Sequence, residues 1–111
     1  MPITFDVDAL KAELELDHED VVELIEEFRT FLTEAMDKLE KAIEEKDHPN
    51  SRSLAHSIKG SAGNLRVGRV YELAKDMQFK VDEGHEQELP GLLPELKEQV
   101  DAFMAESESF S

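Results

Sequence analysis

Cysteine and tryptophan are absent from this chain of 111 residues, and cationic side chains are scarce. Without cysteine there is no disulfide and no thiol chemistry, an iron–sulfur cluster is not expected, and a reducing compartment suits the composition. Twelve Lys and Arg face 27 Asp and Glu, a formal charge of −15. That balance excludes a nucleic-acid binder working through bulk positive charge, which needs a basic footprint. No apolar run approaches the roughly 20 residues of a membrane span. The opening Met-Pro-Ile-Thr-Phe-Asp lacks the basic-then-apolar pattern of a secretory signal, so a cytoplasmic protein is expected. Glycine and proline are also few, five and four, while Glu, Leu, Ala and Lys abound. Few breakers and many helix formers point to an all-α protein. The length allows one domain with a real core, near the lower end of the usual range.

The chain is therefore expected to form a single domain, 1–111, divided by its apolar spacing. Residues 1–16 suit a short N-terminal helix with Asp6 as N-cap and Leu10 and Leu14 as an i, i+4 apolar pair. Asp17 reads as a new cap with acidic residues in the turn that follows. Val21, Leu24, Ile25, Phe28, Leu32, Ala35, Leu39 and Ile43 then recur at three- and four-residue steps, predicting a long core-facing helix over 18–46. Asp47-His-Pro-Asn50 reads as a break, with Asn50 or Ser51 capping a helix over 51–66. Gly68 suits a left-handed residue after it. A helix over 69–83 turns Val70, Leu73, Ala74, Met77 and Val81 inward and ends at Gly84. After a loop to Leu89 the last helix covers 90–106, with Pro90 or Pro94 in its first turn and Leu93, Leu96, Val100 and Phe103 inward. Residues 107–111 are expected to fray. No apolar stripe is left over to demand a dimer, so a monomer is expected.

The unusual stretch is 56–65, His-Ser-Ile-Lys-Gly-Ser-Ala-Gly-Asn-Leu. At about 100° per residue, Leu54, Ile58 and Leu65 share one face and His56 projects from the opposite one. Gly60 and Gly63 share the outer face with His56, although each costs on the order of 1 kcal/mol relative to alanine in a helix interior. A helical side chain leans toward the N-terminus, so residue i+4 covers the surface beside residue i. With Gly60 at that position the imidazole is open to a bulky group. Lys59 offers a cation to an arriving anion. Histidine near neutral pH needs no separate base to act as a nucleophile, so the arrangement suggests phosphoryl transfer onto His56. The same glycines would also suit a close helix crossing, although their phase sends them outward with His56.

These residues closely resemble the phosphoacceptor motif of histidine-containing phosphotransfer (HPt) domains, four-helix modules of phosphorelays. The resemblance covers about 15–105 and is most specific over 52–78. It implies an antiparallel four-helix bundle over 17–106 with the short N-terminal helix added. It implies that His56 is the phosphoacceptor, that Lys59 stabilises phosphate charge and that Gly60 clears the approach. Gln78, about 22 positions on, would orient the imidazole, although on periodicity alone it reads equally well as a boundary residue. The implied partners are response-regulator receiver domains and a hybrid sensor histidine kinase. No cofactor is expected on this chain, and the Mg²⁺ would belong to the receiver. Arg66, where many members have a small residue, departs from the pattern and bears on partner preference.

Between Asp47 and Glu72 there is no acidic residue, while Arg52, Lys59, Arg66 and Arg69 fall in that window. Spaced by seven, the first three form a basic strip beside His56, suited to receive a phosphoryl group. A basic face paired with acidic neighbouring helices is the plainer alternative. Arg52, Gly63, Asn64, Arg66 and Phe79 are candidate partner contacts, Phe79 on condition that the terminal segments leave it exposed. His18, His48 and His85 have no partner at ligand spacing, so no metal site is expected. No Walker loop or kinase-type glycine loop is present, which predicts a carrier without autokinase activity. Two other readings stay open: the phosphoacceptor domain of a chemotaxis-type kinase, and a non-catalytic acidic helical adaptor. A starting methionine and a short polar tail favour a free-standing protein.

Overall fold

Apolar spacing is realised as five helices, with no strand among the described residues. The computed structural model describes residues 7–108. The helices are α1 Val7–Leu14, α2 His18–Glu44, α3 His48–Asn64, α4 Gly68–Asp82 and α5 Leu89–Ser107. A 3-10 turn, Glu86–Glu88, precedes α5 inside the expected loop. α2 and α4 each pack against both α3 and α5, and α1 lies against α2. Each of the four longer helices thus has two main neighbours around one core.

Caps explain the boundaries, and two of them correct the expectations. Asp17 caps α2 as expected, accepting a hydrogen bond from the Asp20 amide at 2.9 Å. The break between α2 and α3 lies at 45–47, and His-Pro-Asn50 already belongs to the first turn of α3. Asp47, not Asn50 or Ser51, is the N-cap, accepting from the Asn50 amide at 3.3 Å. Pro49 occupies the first turn, where its missing N–H leaves no bond unmade. Gly68 is not the left-handed residue; it opens α4, and Arg66 takes the positive φ of 58° instead. The amide of Arg66 bonds back to Gly63 and that of Val67 to Ala62, a paired C-terminal closure. Val67, wholly buried, seals it with an apolar side chain. The same closure ends α2 at Lys46 (φ 57°) and α4 at Gly84 (φ 77°), the one glycine among these. Pro90 lies in the first turn of α5, while Pro94 lies further inside it.

The expected frayed tail is shorter than predicted. α5 continues through Ser107, which is buried; the Arg29 guanidinium donates to Ser107 Oγ at 2.6 Å and to the Met104 carbonyl at 2.7 Å. The Asp6 cap and residues 109–111 lie outside the described residues.

The core runs through all five helices: Leu10, Ile25, Leu32, Leu39, Ile58, Met77, Leu96 and Phe103 are among its fully buried members. Phe103 meets Phe28 edge to face, ring centroids 5.2 Å apart. On α3 the buried side chains are Ser51, Ala55, Ile58 and Ala62, while Leu54 sits at the margin. The buried face is thus turned from Leu54 toward the alanines, whose small side chains allow α4 to approach closely. Leu10 covers the core, whereas Leu14 stays 38% exposed.

Candidate functional site

Three cross-helix pairs define how α3 and α4 meet. Arg52 is ion-paired with Asp82, His56 hydrogen-bonds Gln78, and Gly63 faces Tyr71. Four then seven residues forward on α3 match four then seven residues back on α4, so the helices run in opposite directions in fixed register. His56 stands on the middle rung of this ladder, exposed to solvent.

The His56–Gln78 bond joins Nδ1 to Oε1 at 3.2 Å. An amide oxygen only accepts, so Nδ1 carries the proton and donates it. The neutral imidazole then has its lone pair on Nε2, the nitrogen turned away from that bond. Lys59, half-buried, lies one turn along on the same flank and has no ion-pair partner among the described residues. Where a Cβ on Gly60 would stand, no atom lies within 4 Å. The approach over that position is open space.

The second glycine behaves differently. A Cβ on Gly63 would stand 3.3 Å from Tyr71 Cδ2 and 3.5 Å from Cε2. Gly63 is therefore a close-approach residue between α3 and α4, the helix-crossing role that its phase argued against. Antiparallel packing this tight brings the α4 ring over a flank that a single-helix projection leaves bare.

The basic strip is also partly neutralised, as the plainer alternative holds. Arg52 Nε donates to Asp82 Oδ1, and Nη2 to Oδ2 at 3.3 Å. That bond holds the Asp82 carboxyl below the ordinary carboxylate range, outweighing the upward push of desolvation, with smaller help from the Arg52 charge and the field of Lys59. Arg66 Nε donates to Glu13 Oε2 and Nη1 to the Gly63 carbonyl, both at 2.8 Å. Arg66 thus ties the end of α1 to the end of α3. Arg69 forms no ion pair among the described residues.

Of the remaining predicted contacts, Asn64 is exposed and lines a groove of about 520 Å³ with Leu14, Leu24, Phe31, Ser61 and Arg66. Phe79 is 55% exposed on α4 and is not covered by the described terminal segments. Three residues escaped the sequence reading: Asp82, Tyr71 and Lys75. Lys75 places its ammonium 5.9 Å from the Tyr71 ring centroid, and the register sets it opposite Lys59 and Gly60. Asp82 and Lys75 lie four after and three before Gln78, so the signal was there once Gln78 was known to face His56. Among the described residues no group of three or more His, Asp or Glu is arranged to hold a metal. His85 bonds Glu88 within its own turn at 3.1 Å. Among the described residues no helix is long and apolar enough to cross a membrane.

The site is thus an exposed histidine hydrogen-bonded across the α3–α4 pair beside an open glycine position. The family model described as Hpt domain matches residues 23–106, most of the chain, and the protein belongs to that family. Membership places it in histidine phosphotransfer within two-component signalling, among domains that carry phosphoryl groups rather than act as classical enzymes. No curated protein and no solved structure matches the chain.

Proposed function

We propose that this protein is a phosphorelay carrier that takes a phosphoryl group on His56 Nε2 from a receiver-domain aspartate, or through a sensor kinase, and passes it to a response-regulator aspartate. The observation that carries the proposal is the Nδ1–Gln78 bond, which in the neutral imidazole puts the lone pair on Nε2, beside the open position of Gly60. In the transfer an Nε2–P bond forms and the acyl-phosphate P–O bond breaks, its electron pair leaving with the donor carboxylate. No proton has to be removed from the attacking nitrogen. Lys59 balances the charge of the phosphoryl oxygens, and the receiver supplies Mg²⁺ and its own carboxylates. The chain acts as a carrier without an ATP site, as a monomer in the cytoplasm. The ring of neighbours α2, α3, α4 and α5 supports an antiparallel four-helix bundle as its scaffold, within one domain. Partner docking draws on apolar area at both sides of His56: Phe79 on one, and the groove with Leu14, Leu24, Phe31, Asn64 and Arg66 on the other.

The test is incubation with a phosphorylated receiver domain and Mg²⁺, followed by intact mass and acid treatment. A gain of one phosphoryl group that is acid-labile, alkali-stable and absent in His56→Gln is the expected result. Folded protein that gains nothing from a broad panel of receivers would favour the acidic adaptor instead.

A further inference from the structure

We propose that Asp82 is a positioning residue that holds Arg52 in reserve, a charge latch governing how readily His56 takes up a phosphoryl group. The proposal rests on the carrier reading and adds a control element to its site. In the resting protein Asp82 occupies Arg52, the cation one turn before His56 on α3; an incoming phosphoryl group must draw it away.

The geometry places Arg52, His56, Gln78 and Asp82 on two neighbouring rungs, about one helical turn apart. Arg52 precedes His56 by four residues on α3, and Asp82 follows Gln78 by four on α4, so the Arg52–Asp82 ion pair is the rung beside His56–Gln78. Helical side chains lean toward their own N-terminus. His56 therefore leans toward the Arg52 rung, and Asp82, on the opposed helix, leans back toward the His56 rung. Lys59 leans toward His56 from the other side, and its field reaches the Asp82 carboxyl. One exposed carboxylate thus pairs with Arg52 and lies within the field of Lys59.

A phosphoryl group brings about two negative charges and three acceptor oxygens. A guanidinium fork suits those oxygens as well as it suits a carboxylate, and doubly charged oxygens attract it more strongly. Asp82 and the phosphoryl group consequently compete for Arg52. While Asp82 wins, the site is less cationic than its sequence suggests. Removing the Asp82 charge frees Arg52; removing Arg52 leaves Asp82 as an uncompensated anion facing the arriving dianion. The two substitutions must act in opposite directions.

The experiment uses potassium phosphoramidate as donor, whose P–N bond breaks with loss of ammonia, and reads initial labelling of His56 by intact mass. Asp82→Asn is expected to speed labelling by about two- to five-fold and Arg52→Gln to slow it by a similar factor, the range that exposed charge pairs carry. The double variant is expected near the wild-type rate, and added salt should shrink both effects. A purely structural bridge would move both single variants the same way, in step with lowered melting temperatures; that result overturns the latch while leaving the carrier intact. Folded wild-type protein that neither phosphoramidate nor a phosphorylated receiver labels at His56 overturns the carrier reading and the latch with it.

Discussion

Gly60 and Gly63 lie one turn apart or less on the same helix, yet adding one methyl group to each should have opposite consequences. Replacing an interior helical glycine with alanine gains about 1 kcal/mol by restricting the unfolded chain and improving helix propensity. At Gly60 the new methyl meets nothing within 4 Å, so the full gain is realised. For a domain of this size that raises the melting temperature by about 4 °C. At Gly63 the methyl meets the Tyr71 ring at 3.3 Å, and overpacking of that kind costs about 1–3 kcal/mol. The net effect of Gly63→Ala is then between about zero and 2 kcal/mol of destabilisation. Thermal melts and urea titrations of the two variants, side by side, measure the difference directly. Transfer should sort them the other way. The Gly60 methyl enters the approach to His56 Nε2, so Gly60→Ala is expected to lose about ten-fold or more in phosphoryl acceptance despite its greater stability. Two results would refute this reasoning. If Gly63→Ala stabilises as much as Gly60→Ala, Tyr71 does not limit the helix approach. If stabilised Gly60→Ala accepts phosphoryl groups at the wild-type rate, bare backbone at that position is not needed for access.

Further tests address the scaffold and its charges. Phe103→Ala removes a fully buried ring packed on Phe28 and should cost about 3–5 kcal/mol, a large part of a small domain's stability, seen as a lowered urea midpoint. Lys46→Gly relieves a side chain from φ 57° at the end of α2 and should stabilise by up to about 1 kcal/mol in the same assay. Because Arg52 holds the Asp82 carboxyl low, the unfolded chain binds that proton more readily than the folded one. The contribution of Asp82 is therefore present above its ordinary value of 3.8 and is lost as pH falls through the lower folded value. Urea midpoints of wild type and Arg52→Gln should differ near about pH 6 and converge near about pH 2.5; a constant gap would show that the pair does not respond to acid.

Much of the scaffold is written in local patterns. Val21, Ile25, Phe28, Leu32, Leu39 and Ile43 are buried on α2 where their spacing predicts, and Asp17 caps the helix as its side chain demands. The errors cluster where local signals compete. Asp47-His-Pro-Asn50 contains a proline, which reads as a breaker, but in a first turn it costs nothing and Asp47 supplies the cap. Gly68 attracts the left-handed assignment because glycine adopts it without strain, yet closure depends on where the helix ends, and Arg66 stands there. Gln78 is a boundary residue by periodicity, and only resemblance singled it out before its bond to His56 was seen.

Local chemistry was therefore sufficient for the all-helical class, for most helix boundaries to within a few residues, and for an outward histidine followed by an open glycine. Each depends on neighbours within about one turn of the same helix, where spacing translates directly into position. The register of α3 against α4 lay beyond that reach. It arises from how closely Ala55, Ala62, Gly63 and Ala74 let two backbones approach, a property of the packed pair and not of either strand of sequence. Only that register decided that Gly63 faces Tyr71, that Arg52 spends its charge on Asp82, and that a carboxylate stands beside the phosphoacceptor.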